Sequence, residues 1–225
     1  MWDGKLMVVS HPRCGTHMLR ELLDRHTDLR IMPEIFHHVE LKYIQVPGWR
    51  RNTAAIFDKL FGEASGAIVH DYQWSCGVYK ELYETMAQVQ GLRIIWNERE
   101  DLFAQAISDL MAHRIKRWQR IEGQHKPSKF TPQKFELPEL LKFTRRNRRL
   151  RRKAREVLKN VPSLEMKYEW LLEDREGQMR RVFEWLGLEY QETDTKQKKT
   201  TNQPLEEYVV DCERLRRRFW EEIGK

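Results

Sequence analysis

The sequence predicts an α/β fold, a central parallel sheet flanked by helices. Short, wholly apolar runs of strand length alternate with longer stretches of helical periodicity, the pattern of strands buried on both faces beneath packed helices. The chain has 225 residues, which suits one hydrophobic core better than two. A single domain over residues 1–225 is therefore expected.

Leu6-Met7-Val8-Val9, between Gly4 and Ser10-His11-Pro12, reads as a buried strand. A tight loop, Arg13-Cys14-Gly15-Thr16, follows, and Met18, Leu19, Leu22 and Leu23 form one face of an amphipathic helix reaching about His26. Gly66 to His70 is a second strand, Val78 to Val89 a helix, and Leu92 to Asn97 a third strand. Leu102, Phe103, Ala106, Ile107, Leu110 and Met111 mark the next helix, begun at Glu100 or Asp101, where a carboxylate suits the dipole. From about 113 to 136, Gly123, Pro127 and Pro132 interrupt a polar, basic stretch, read as a lid or acceptor-binding loop. A basic helix over about Leu137 to Leu158, a strand around Leu164 to Tyr168, and a helix from Glu176 to Leu186 stopped by Gly187 come next. After a polar, Lys-rich stretch a last helix closes the chain.

Composition narrows the function classes. Aromatic residues make up 11% of the chain, too many for disorder. The three cysteines, Cys14, Cys76 and Cys212, are odd in number and widely spaced, which argues against a disulfide framework or a zinc site. No apolar stretch is long enough to span a membrane and no leader pattern opens the sequence, so a cytoplasmic protein is expected. The net charge is +7, yet Arg145 to Arg155 alone carries eight basic residues and no acid. The rest of the chain is close to neutral.

The loop between the first strand and first helix is the principal candidate site. A helix N-terminus offers backbone N–H groups and a positive dipole end to an anion, and Gly15 lets the backbone approach it closely. No Lys follows that glycine, so this is not the GxxxxGK[ST] loop of a γ-phosphate NTPase, and a P-loop-like nucleotide kinase is disfavoured. A turn that merely caps the helix is the plain alternative.

Ser10-His11-Pro12-Arg13-Cys14-Gly15-Thr16-His17-Met18-Leu19 resembles the 5'-phosphosulfate loop of the sulfotransferases that use 3'-phosphoadenosine 5'-phosphosulfate (PAPS). Cys14 stands where that family usually has Ser, and His17 where it usually has Thr or Ser. Arg99-Glu100-Asp101-Leu102-Phe103-Ala104-Gln105-Ala106-Ile107-Ser108, straight after an apolar run, is similar to the family's 3'-phosphate motif, in the form found in the trehalose or carbohydrate sulfotransferase-like branch. Pro33-Glu34-Ile35-Phe36 is similar to the branch segment whose glutamate is the general base. Tyr168 to Leu171 and Phe183 to Leu188 resemble an architectural element, and Lys196, Lys198 and Lys199 a loop that closes over the nucleotide.

The resemblance implies a P-loop-like three-layer fold and sulfuryl transfer from PAPS to an acceptor hydroxyl of a carbohydrate or glycolipid, with 3',5'-ADP as product and no metal. It implies that Arg13, Cys14, Gly15, Thr16 and His17 hold the phosphosulfate, that Arg13 and His17 also serve the reaction, and that Arg99 and Ser108 hold the 3'-phosphate. Glu34 takes the acceptor proton, with His70 as rival base. The Lys cluster reads equally as a solvated loop, and the pair His37-His38 is a weak ligand candidate. Trp49, Trp74 and Trp118 could stack on sugar rings or belong to the core. A different class stays open: Arg145 to Arg155 as a helix that contacts nucleic acid or another polyanion, an anionic surface, or only solvent.

Overall fold

The computed structural model describes residues 2–36, 53–75, 81–116, 120–121, 129–199 and 201–224. The chain divides into two compact units, Met1–Glu100 with Leu150–Thr195, and Asp101–Arg149 with Lys196–Lys225.

The first unit holds a five-stranded sheet, all of whose pairings are parallel. Its strands are β1 (Lys5–Ser10), β2 (Ile31–Glu34), β3 (Gly66–His70), β4 (Leu92–Glu98) and β6 (Ser163–Lys167), in the order β2-β3-β1-β4-β6. β1 is central and apolar on both faces, so its alternate residues feed two cores. Met7 and Val9 pack in one core with Ile56, Phe57 and Leu60 of α2 (Thr53–Glu63) and with Tyr83 and Met86 of α4 (Leu82–Gln88). Leu6 and Val8 pack in the other, with Leu19, Leu22 and Leu23 of α1 (Thr16–Asp24) and with Met179, Val182 and Phe183 of α8 (Arg175–Leu186). This is the expected three-layer, P-loop-like α/β arrangement.

Most expected elements are present with small shifts at their ends, and α8 stops at Gly187 in the left-handed region, as the sequence suggests. Four elements of the first unit were not expected. β2 carries Pro33, which argues against a central strand; it lies at the sheet edge, and its register against β3 shifts between Met32 and Glu34. α2, the short α3 (Asp71–Ser75) and α7 (Tyr168–Glu173) are the others. The expected start of the helix at Val78, together with Cys76, His37-His38, Trp49 and Trp118, lies outside the described residues, as does the side chain of Trp74.

In the second unit, α5 (Leu102–Ile115) begins at Asp101, whose carboxylate accepts from the Ala104 N–H at 2.9 Å. Phe103, Ile107 and Met111 of α5 pack with Leu140 of α6 (Leu137–Val157), Tyr208 of α9 (Leu205–Tyr208) and Phe219 of α10 (Cys212–Ile223). β5 (Arg120–Ile121) pairs antiparallel with β7 (Gln197–Lys198). Of the expected 113–136 loop, 113–115 still belong to α5, and 117–119 and 122–128 lie outside the described residues. Among the described residues no helix is long and apolar enough to cross a membrane.

The Arg145 to Arg155 run is not a uniform solvated face. Arg145, Arg146, Arg148, Arg149, Arg152 and Lys153 are exposed, whereas Arg151 is buried and Arg155 half-buried. One helical turn apart, those two guanidinium groups lie over the Trp96 ring, 5.0 and 4.7 Å from its centroid. Arg155 is ion-paired with Glu98 at 2.8 Å and Glu165 at 2.6 Å. Arg151 donates from Nε to Asp71 Oδ2 at 3.0 Å and from its terminal nitrogens to the Val9 and Asn97 carbonyls, each at 3.4 Å. Asp71 also accepts from the Tyr83 hydroxyl at 2.8 Å and has His11 Nδ1 2.7 Å away. Burial alone would raise the Asp71 pKa, but Arg151, His11 and the Tyr83 hydroxyl outweigh it and hold the carboxyl at about 2.

Breaking this buried pair from one side strands a charge. Arg151→Met is expected to lower unfolding free energy by about 3–5 kcal/mol, read from urea midpoints. Because the Asp71 pKa is depressed by folding, its contribution is present above about pH 4 and lost as pH falls toward about 2. Acid titration of the folded protein, followed by circular dichroism, should show the wild type losing stability in that window and Asp71→Asn losing less.

Candidate functional site

The site is built where β1 ends and α1 begins. Two residues of the connecting loop adopt left-handed backbone, Arg13 with φ 68° and Gly15 with φ 69°. Glycine is required at the second position for a further reason: a Cβ there would run into the Tyr168 ring. α1 starts from Gly15 with no capping side chain and no acid in its first turn, which leaves its dipole end open to an anion.

Neighbouring elements pin the loop. Asn97, fully buried at the end of β4, donates from Nδ2 to the Cys14 carbonyl at 3.0 Å and to Thr16 Oγ1 at 3.4 Å. Arg99 donates to the Arg13 carbonyl at 3.3 Å, lies 5.0 Å from the Tyr168 ring centroid and has Glu169 3.8 Å from its Nε. The Cys14 side chain is wholly buried, and burial pushes its thiol up to about 12. Arg13 and His17 are half-buried.

A carboxylate stands beside this loop. Glu34, at the end of β2, has His70 Nε2 2.9 Å and His17 Nε2 3.6 Å from its Oε1, and its Oε2 accepts from the Tyr72 hydroxyl at 3.3 Å. His17 lies in the first turn of α1, so the carboxylate and the helix N-terminus share one neighbourhood. His70, the last residue of β3, is stacked on Tyr72. Burial alone would lower the His70 pKa, but the adjoining Glu34 carboxylate, with the Ser10 carbonyl, raises it on balance. For His17 the balance is reversed: burial outweighs Glu34 and lowers its pKa, so at neutral pH it is a neutral imidazole with a single N–H. Behind these groups, Ser10 Oγ lies 2.9 Å from both His70 Nδ1 and Thr16 Oγ1.

Of the residues singled out in the sequence, Arg13, Cys14, Gly15, Thr16, His17, Glu34, His70 and Arg99 belong to the first unit. Ser108, Lys196, Lys198 and Lys199 belong to the second, where Ser108 is half-buried on α5 and the lysines are exposed. Sequence reasoning passed over Ser10, Tyr72 and Asn97. Asn97 carried a usable signal, an amide near the end of a mostly apolar strand; Ser10 was quoted within the loop motif but given no role, and Tyr72 carried no signal.

No protein-family model and no curated protein matches the sequence. Solved structures do match. The crystal structure of a sulfotransferase from Alicyclobacillus acidocaldarius aligns over 99% of this chain and 96% of its own, with a TM-score of 0.53 and 16% sequence identity. The crystal structure of mouse sulfotransferase SULT7A1 complexed with PAP aligns over 84% of this chain and 60% of its own, with a TM-score of 0.46 and 16% identity. The first of these likenesses is one of fold.

Two outcomes follow from the loop geometry. Cys14 should resist alkylation in the native protein at about pH 8 and react once the chain is unfolded, as read by mass spectrometry of labelled peptides. Gly15→Ala should destabilise the fold by at least about 1–2 kcal/mol from the left-handed backbone alone, measured by denaturant unfolding.

Proposed function

We propose that this chain is a PAPS-dependent sulfotransferase that moves a sulfuryl group to the hydroxyl of a carbohydrate or glycolipid by in-line transfer. The observation that carries this reading is the position of Glu34: a carboxylate gathered with two imidazoles beside an uncapped helix N-terminus. Such a pair of features suits a reaction that seats an anionic donor and deprotonates a neutral acceptor. The residues also fit the nucleotide, since α1 has no acid in its first turn and starts from Gly15 with no capping side chain.

When bound, PAPS supplies the sulfuryl group and 3',5'-ADP leaves. The chain's own work is positional and electrostatic. The N–H groups of Cys14, Gly15 and Thr16 and the Thr16 hydroxyl hold the 5' end, and Arg13 at the helix mouth stabilises charge that moves to the leaving oxygen. His17, neutral, donates its N–H toward the sulfuryl oxygens. Glu34 accepts the acceptor proton at Oε1 or Oε2 as the new O–S bond forms. From the sequence resemblance, Arg99 and Ser108 are the residues proposed for the 3'-phosphate, and Lys196, Lys198 and Lys199 for neutralising the nucleotide. No metal enters this scheme, and the setting proposed is cytoplasmic.

The first test is a thermal-shift titration with 3',5'-ADP, 2',5'-ADP and ATP. At about a hundred times its dissociation constant a ligand adds roughly 2.7 kcal/mol, or about 5 to 10 °C in a chain of this size. Selective stabilisation by 3',5'-ADP, lost in Arg13→Ala and Arg99→Ala, is expected. Equal shifts with all three would overturn the reading and favour polyanion binding by the six exposed basic residues of the Arg145 to Arg155 run. Glu34→Gln should keep 3',5'-ADP binding while sulfation of a glycan acceptor panel falls by about 10²- to 10⁴-fold.

A further inference from the structure

One chain of hydrogen-bond contacts runs from the anion seat to the carboxylate. Thr16 Oγ1 and Ser10 Oγ are 2.9 Å apart, Ser10 Oγ and His70 Nδ1 are 2.9 Å apart, and His70 Nε2 is 2.9 Å from Glu34 Oε1. Ser10 is wholly buried, Thr16 is 4% exposed and His70 5%, so water does not interrupt the chain. A hydroxyl carries a single hydrogen. The direction in which Ser10 donates therefore depends on what His70 offers it.

When His70 is neutral with its hydrogen on Nε2, facing Glu34, its Nδ1 is an acceptor. Ser10 then donates to His70, and the Thr16 hydroxyl donates to Ser10. When His70 is protonated, Nδ1–H donates to Ser10, whose Oγ is at 2.9 Å and whose carbonyl is at 3.3 Å; Oγ has then lost Nδ1 as an acceptor, donates to Thr16 Oγ1, and the Thr16 hydrogen is released toward the loop mouth. We infer that Ser10 is a positioning residue that makes occupation of the loop by an oxyanion and protonation of His70 favour one another. As a statement about the sulfonucleotide seat this rests on the function proposed above; the relay itself needs only an anion at the loop.

The raised pKa of His70 puts the protonated form within reach near neutral pH. The groups that face His70 are Glu34 from β2, Asp71 and the stacked Tyr72 from α3, and His17 from α1, with Arg13 and Arg20 further along the loop and helix. All of them remain when Ser10 loses its hydroxyl. A simple field effect of these charges would thus survive Ser10→Ala, whereas the relay would not.

The test uses the full chain and measures binding by calorimetry between about pH 5.5 and about pH 8.5, a span that brackets the imidazole range. Inorganic sulfate is the main probe because its charge does not change there; 3',5'-ADP and 2',5'-ADP are run beside it. In the wild type, sulfate affinity should fall by about 3- to 10-fold as pH rises, the worth of one hydrogen bond. In Ser10→Ala, affinity at the alkaline end should rise toward the acidic-end value, because Ser10 no longer holds the Thr16 hydrogen; damage to the site would not improve binding. A wild-type pH dependence retained in Ser10→Ala, an equal loss at both ends, or no anion binding at any pH overturns the relay. Should Ser10→Ala fail to fold, Thr16→Val, which removes the far hydroxyl and keeps His70, decides: a flat profile supports the relay and a sloped one, the field of His70 acting alone, overturns it. Sulfate binding with the expected pattern but no preference for 3',5'-ADP keeps the relay and rejects the sulfotransferase reading. Selective 3',5'-ADP binding without the pattern does the reverse.

Discussion

The first unit depends on the ion pair buried beneath its loop, Arg151 with Asp71. Arg151 reaches the carbonyls of Val9 in β1 and Asn97 in β4, while Asp71 follows the last residue of β3 and has His11, the residue after β1, at 2.7 Å. A single guanidinium thus ties together the C-terminal ends of three adjacent parallel strands, which is where loops of an open parallel sheet carry function. The pair is buried, so its strength comes from saturation: both partners use nearly all their polar capacity, and the desolvation cost is offset only while the set stays complete. The candidate loop is held by this arrangement and by Asn97 rather than by its own short sequence.

That anchoring fixes the loop proposed as the anion seat. The Cys14 thiol is buried, and the turn is specified by two left-handed residues, by the close approach of Tyr168 to Gly15, and by carbonyls fixed from β4 and Arg99. In the proposed function it is the backbone N–H groups of this turn that meet the anion. On the other side of the seat, β2 is short, lies at the edge and changes register near Pro33. An edge strand with such a shift can aim one side chain without disturbing the sheet, and here that side chain is Glu34.

How much was legible in the sequence follows from the range of the forces involved. β1, β3 and β4 were readable because strands buried on both faces must be continuously apolar. α1, α5 and α8 were readable because one-sided burial imposes a period, and because Gly187 and Asp101 mark helix ends by local backbone chemistry. β2 was not: four residues with a proline carry no period, and its pairing with β3 is decided by a neighbour more than thirty residues away. Arg151 was hidden for another reason. Within a run of arginines nothing local distinguishes the one that faces the sheet, because helix phase relative to Asp71 and Trp96 is a property of packing.

The sequence by itself determined the strand-loop-helix unit, the glycine at its turn and the alternation that yields a parallel sheet, since these are matters of local periodicity and residue chemistry; the candidacy of Arg13, Glu34 and Arg99 was drawn from the resemblance of their motifs to those of sulfotransferases. Only the tertiary structure decided that Glu34 has His70, His17 and Tyr72 as neighbours, that Ser10 joins Thr16 to His70, that Cys14 points inward, and that two arginines of a basic helix are internal. Each of those facts joins residues separated by other elements or depends on which face of an element is buried. Such pairings are set when the strands take their order in the sheet, and no spacing along the chain encodes them.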